Sequence, residues 1–210
     1  TLGGGGHTLE MLRRGGRVTG IDRDADAIAA ASARVESFLR ETGTDASAFR
    51  AVRGNFHDAA SLVGETRFDG ILADLGVSSF QLDCRERGFS YHEDAPLDMR
   101  MDASQPRTAA DIVNNASEDE LTRIFRDYGE EKWARQIARV VADRRPIATT
   151  LQLVAAVDAA IPKKVRSKDG SHPARRVFQA LRIAVNDELE PLRAALEMLA
   201  GLHKAGGRLC

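Results

Sequence analysis

The chain has two cysteines in 210 residues, Cys84 and Cys210, too few and too far apart for a disulfide framework or a cysteine zinc cluster. Its five histidines have no metal-ligand spacing, so no metal is expected. No apolar run reaches the length of a membrane span and no signal-peptide pattern opens the sequence, which makes a reducing cytoplasm the expected location. No Gly-x-Ser-x-Gly elbow surrounds Ser78 or Ser79, which argues against a hydrolase of that type, and there is no internal repeat. Net charge is also nearly absent, at -1, but that figure hides a segregation. Between Lys132 and Arg182 stand 12 Lys/Arg against three acids, leaving 18 basic and 28 acidic residues elsewhere. A basic stretch on an acidic body fits a polyanion-facing region, and solvated helix faces fit it equally well.

Glycine is plentiful at one place. Gly3-Gly4-Gly5-Gly6 leads into His7-Thr8-Leu9-Glu10-Met11-Leu12, where Leu9 and Leu12 share a helical face. Such a run is either a flexible turn or a cradle, since glycine lets a ligand approach the backbone and the following helix N-terminus offers free N–H groups. Arg17 to Asp22 reads as a strand with Asp22 at its C-terminal end, where nucleotide-binding α/β folds place an acid for ribose hydroxyls. The alternative is that Asp22, Asp24 and Asp26 only cap the next helix; a division of labour gives Asp22 to a ligand and Asp24 or Asp26 to the cap.

Ile28, Ala31, Val35 and Phe38 mark a helix from about Ala25 to Glu41. Ala51 to Phe56 can form the next strand, with Phe56 either stacking on a purine or filling core. Phe68 to Asp74 predicts a strand covered on both faces at Ile71 and Leu72, ending in an acid and a Gly/Ser turn. This order belongs to a doubly wound α/β sheet, which gathers the glycine loop, Asp22, Phe56 and Asp74 at one edge. Gln81 to Gln105 lacks periodicity, as functional or mobile loops do. Helical faces follow at Leu121-Ile124-Phe125-Tyr128, Trp133-Ile137-Val140-Val141, and Leu151-Val154-Val157-Ile161. The run Phe178, Leu181, Val185, Leu189, Leu192, Leu196, Leu199 is interrupted by Pro191, so a break is expected near 186–191. Gly206-Gly207 then looks like a turn entering another strand.

These motifs together resemble the MraW family of ribosomal RNA small-subunit methyltransferases. The matching segments include Gly3 to Thr8, Gly20 to Asp24, Asn55-Phe56, Asp74 to Ser79, Gln81-Leu82-Asp83, Arg87 to Ser90, Pro96 to Asp102, Gly129-Glu130-Glu131, His172-Pro173-Ala174, Phe178 to Ile183 and Val185-Asn186. The resemblance implies a Rossmann-like class I S-adenosylmethionine-dependent methyltransferase sheet with an inserted all-helical domain. Its segments are 1–105 for the first part of the cofactor domain, 106–185 for the insert and 186–210 for the return. It implies cofactor contacts at Gly5, Gly6, His7, Asp22, Phe56, Asp74 and Gln81, and methyl transfer to the exocyclic N4 of a cytidine in the decoding region of 16S ribosomal RNA on the small ribosomal subunit. Gly4 stands where the family has arginine, Phe80 where it has proline and Ala95 where it has glycine. The family's first strand and its Ser-Phe-His-Ser segment have no counterpart in the sequence, so an incomplete sheet, weak cofactor affinity and poorly cooperative folding are expected.

The cytosine amino group is a poor nucleophile because its lone pair is conjugated into the ring. A carboxylate that accepts its protons and an in-line alignment both help. Asp74, with the turn from Leu75 to Ser79, is the candidate for that task, on the base or only on the cofactor. His7 is expected to be a positioning donor. Carbon-5 chemistry would need a cysteine nucleophile, and Cys84 has no partner base in sequence. Phosphate contacts are expected from Arg135, Arg139, Arg144 and Arg145, from Lys163, Lys164, Arg166 and Lys168, and from Arg175, Arg176 and Arg182. The competing readings are an NAD- or FAD-dependent oxidoreductase and a non-catalytic RNA-binding protein.

Overall fold

The computed structural model describes residues 2–78, 81–82, 84–162, 172–189 and 192–210. The chain forms two compact units, one of Thr1–Phe80 with Leu189–Cys210 and one of Gln81–Glu188.

In the first unit, β1 (Val18–Asp22) pairs in parallel with β2 (Phe49–Arg53), Val18 opposite Phe49 and Asp22 opposite Arg53. The connection is α2 (Ala25–Thr42), capped by Asp24, whose carboxylate accepts from the Asp26 N–H. That bears out the capping role read for Asp24. Gly43 at φ 67° ends the helix. Ala31 and Val35 are fully buried, and Val35 and Leu39 pack with Leu9 and Leu12 of α1 (Gly6–Arg13). The second ladder pairs β3 (Phe68–Ile71) in parallel with β4 (His203–Leu209), with an irregularity between Phe68 and Gly70. Ala59 and Val63 of α3 (Ala59–Val63), Leu199 of α9 (Leu192–Ala200) and Leu202 form a second cluster, against which Ile21, Phe68 and Ile71 pack.

Three expectations change here. β2 begins two residues earlier than read, so Phe56 lies beyond it in a 3-10 turn, Phe56–Asp58, whose entry Asn55 caps. Ile71 and Leu72 are not covered on both faces: Ile71 is only partly buried and Leu72 is 37% exposed. Gly206-Gly207 lies inside β4 rather than before it.

The second unit carries α4 (Ala109–Asn115), α5 (Glu118–Asp127), α6 (Ala134–Asp143), α7 (Thr150–Ala160) and α8 (Ala174–Asn186). The starts are written in the sequence: Thr108 with Asp111 and Thr149 with Gln152 form capping boxes, and Ser117 caps α5. Leu121, Ile124 and Phe125 of α5 and Ile137 and Val141 of α6 are buried, as their spacing predicts, while Trp133 and Val140 are partly buried and Ala138 is buried beside them. α7 buries the expected Val157, with Ile161 buried just after it, but also turns Leu153, Ala156 and Ala160 inward and leaves Leu151 42% exposed. It is apolar nearly all round, so periodicity fixes no phase and packing chooses one. The break after α8 falls where expected, with Asp187 in the left-handed region at φ 46°.

The aperiodic stretch before α4 falls in the second compact unit, and it is held by many bonds. Leu97 N–H donates to Ala148 O, Thr150 N–H to Ala95 O, and Ala95 N–H to Thr150 Oγ1. Asn186, 1% exposed, accepts from the Met101 N–H at 2.7 Å and donates to Met99 O at 2.8 Å. Arg87 donates to the carbonyls of Arg100 and Met101. The polar bonds fall between chain positions far apart in sequence, which periodicity does not register. Ala95, in place of the family's glycine, has no left-handed backbone to accommodate and is buried in this network.

Candidate functional site

In the first unit the C-terminal ends of the strands meet the glycine loop. Leu2 N–H donates to Ile21 O at 3.1 Å, and the chain turns through Gly5 N–H to Leu2 O into α1. Gly5 is the residue before the helix, at φ 75°, and a Cβ there would also stand 3.2 Å from that of Ala31. Backbone conformation and the closeness of α2 therefore both require glycine. At Gly4 and Gly6 a Cβ would meet nothing within 4 Å, so that side of the loop is open. Arg34 Nη1 donates to Gly4 O at 3.2 Å. Sequence reasoning missed this contact, because nothing in the spacing separates Arg34 from any other exposed helical arginine.

Asp22, 8% exposed, organises the loop. Its Oδ2 accepts from Gly3 N–H at 2.9 Å and its Oδ1 from Asp24 N–H at 3.0 Å. Its own carbonyl accepts from Gly54 N–H at 2.8 Å, which ties the end of β1 to the turn leading to Phe56. Phe56 is half-buried and meets His57 edge-on. After β3, Asp74 Oδ2 comes within 3.5 Å of His7 Nδ1, with the two side chains 60% and 66% exposed. A Cβ on Gly3 would lie 3.6 Å from that of Ser78, so the turn after Asp74 runs beside the loop.

The first unit thus brings together Gly5, Gly6, His7, Asp22, Phe56 and Asp74. Gln81 is buried and belongs to the second unit. The donor set suits a cofactor with a carboxylate and a diol. No side chain caps the first turn of α1, which leaves amide N–H groups for an anion. Each Asp22 oxygen accepts one N–H and retains a lone pair for a hydroxyl.

The basic residues fare unevenly. Arg135, Arg139 and Arg175 are exposed and Arg176 is partly so. Arg144 donates to Ala155 O, Arg145 to Val113 O and Ala116 O, and Arg182 to both Glu188 oxygens, so these three have structural partners. Lys163, Lys164, Arg166 and Lys168 lie outside the described residues, as does Phe80. Among the described residues no group of His, Cys, Asp or Glu is placed to hold a metal ion, and no helix is long and apolar enough to cross a membrane.

An α/β unit with a glycine loop, a strand-end acid beneath it and a second acid opposite is a class of nucleoside-cofactor site. The model of the MraW methylase family matches residues 1–210, and the chain belongs to that family. Ribosomal RNA small subunit methyltransferase H of Symbiobacterium thermophilum is 50% identical over 218 residues, covering 100% of this chain and 66% of the relative. The protein of the same name from Carboxydothermus hydrogenoformans is 48% identical over 216 residues, covering 100% and 67%. The chain therefore spans about two thirds of the length of these relatives.

Proposed function

We propose that the whole protein transfers a methyl group from S-adenosylmethionine to the exocyclic N4 of a cytidine in the decoding region of 16S ribosomal RNA on the small ribosomal subunit. The observation that carries this reading is the meeting of the glycine loop, Asp22 and Asp74 at one strand edge, in a chain matched along its whole length by the MraW family. The names of the two relatives support an RNA substrate.

When bound, S-adenosylmethionine supplies an electrophilic methyl group on a positively charged sulfur. The amides at the start of α1 would hold its carboxylate, Asp22 would take its ribose hydroxyls, and Phe56 would cover its adenine. Asp74 accepts a hydrogen bond from the target amino group, returning electron density to nitrogen and orienting its lone pair. His7, 3.5 Å from Asp74, orients that carboxylate. The cytidine must be unpaired or flipped out to reach the loop.

The test is transfer of tritiated methyl groups by the full-length protein to small subunits from a strain lacking the modification. Label at a cytidine N4 is expected; none there would end the proposal. Calorimetric titration with S-adenosylmethionine and with NADH separates it from an oxidoreductase, which binds only the second.

A further inference from the structure

Arg34, on the third turn of α2, reaches a carbonyl 30 residues earlier in the chain: its Nη1 donates to Gly4 O at 3.2 Å, inside the glycine loop. The methyl-transfer site as described above makes no use of this bond. We propose that Arg34 is a positioning residue for the cofactor. By holding the Gly4 carbonyl it fixes the last peptide of the loop and keeps the amides that open α1 set for the cofactor's carboxylate. The inference rests on the S-adenosylmethionine reading above.

The Gly4–Gly5 peptide is planar, so bonds at its two ends set its orientation. Gly5 N–H donates to Leu2 O at 3.0 Å, and Gly4 O accepts from Arg34. A glycine on each side of that peptide removes the Cβ contacts that would otherwise limit its rotation, so its orientation depends on those two bonds. Beyond it, Leu9 N–H makes the first bond within α1, to Gly5 O at 2.9 Å, and the amides of Gly6, His7 and Thr8 precede that bond. α2 brings Arg34 to the loop by packing. Ala31, one turn earlier and fully buried, lies so close that a Cβ on Gly5 would stand 3.2 Å from its own. At the start of the helix, Asp24 N–H holds one oxygen of Asp22 while the other holds Gly3 N–H. The same helix thus sets the loop at Gly3, Gly4 and Gly5. Nothing on α2 competes for Arg34, since the residues three and four positions away are Ala30, Ala31, Ser37 and Phe38. Arg34 forms no other hydrogen bond or ion pair among the described residues. Its charge strengthens the bond it makes, and its exposure keeps the effect on the scale of one hydrogen bond.

The experiment uses full-length wild type, Arg34→Ala and Arg34→Lys. Each is titrated by calorimetry with S-adenosylhomocysteine and with 5′-methylthioadenosine, which keeps the adenosine and the thioether but lacks the amino-acid carboxylate. Arg34→Ala is expected to weaken S-adenosylhomocysteine binding about threefold to tenfold and to leave methylthioadenosine binding within about twofold of wild type. Arg34→Lys, which keeps a charged donor, should recover part of the loss. In methyl transfer by Arg34→Ala, KM for S-adenosylmethionine should rise by the same factor with kcat within about twofold of wild type, the signature of lost ground-state binding. Wild-type affinity of Arg34→Ala for S-adenosylhomocysteine would overturn the inference. So would an equal loss for the two ligands, which would make Arg34 a support of the fold with no bearing on the carboxylate end. A wild-type protein that binds neither ligand defeats the S-adenosylmethionine reading itself, and this inference with it.

Discussion

Asp22 ends β1 and accepts a hydrogen bond from the Gly3 amide at 2.9 Å. Sequence spacing can announce a carboxylate near a glycine loop and cannot say which oxygen meets which N–H. The structure makes Asp22 an organiser of the loop as well as a candidate ligand. Asp22→Asn, whose amide offers one acceptor oxygen where the carboxylate offers two, is expected to lower S-adenosylmethionine affinity by about tenfold or more, roughly 1.4 kcal/mol, in calorimetry on the full-length protein. Asp98 makes a different prediction. Burial pushes its carboxyl up, but hydrogen bonds from the Arg100 side chain and backbone, with the charges of Arg100 and Arg87, outweigh this and hold it below the ordinary value. A carboxyl lowered in the folded state stabilises when ionised. Its contribution is whole above the unfolded value of about 3.9 and is lost as pH falls through the lower folded value. Urea unfolding should therefore find Asp98→Asn less stable than wild type at neutral pH, the gap closing below about pH 4.

Elements with a clear start signal or a one-sided apolar face were read well: α2 and α5 lie where their caps and spacing put them, and α6 where its spacing does. The buried face of α7 was only partly legible because the helix has little polar surface to orient it, and β3 was read as doubly covered because a short apolar run does not reveal what packs over each face of a strand. The approach of α5 to α8 was invisible for a related reason: Gly129 carries no side chain to signal it. A Cβ there would lie 2.7 Å from Arg176 O and 2.8 Å from Phe125 O. Gly129→Ala is expected to cost about 1–3 kcal/mol by overpacking two backbone carbonyls. Thr108→Ala, which removes one capping box, should cost about 1 kcal/mol. Denaturant midpoints at unchanged slope check both.

At the scale of the whole molecule, the alternation of strand and helix identified the first unit, and the shift to helical periodicity identified the second. The stretch before α4 joins the helices through polar bonds such as those of Asn186, not through a repeating apolar pattern. The two units differ in core. Of the twelve largest fully buried side chains, only Val35 belongs to the first unit. Hydrogen exchange should accordingly find the central amides of α5, α6 and α8 slowest and those of β3 and β4 faster by at least about tenfold, since protection follows local packing. Equal protection in the two sets would contradict this picture.

The division into units also governs what light can report. The chain's tyrosines and its tryptophan, Tyr91, Tyr128 and Trp133, all fall within 81–188. The absorbance bands and emission of tyrosine and tryptophan therefore observe one unit and are blind to the other, while far-ultraviolet circular dichroism sums both. A melt followed by emission and by dichroism measures, without any label, whether the two units unfold as one. A ligand held by the first unit will register in the emission only to the extent that the units are thermodynamically coupled.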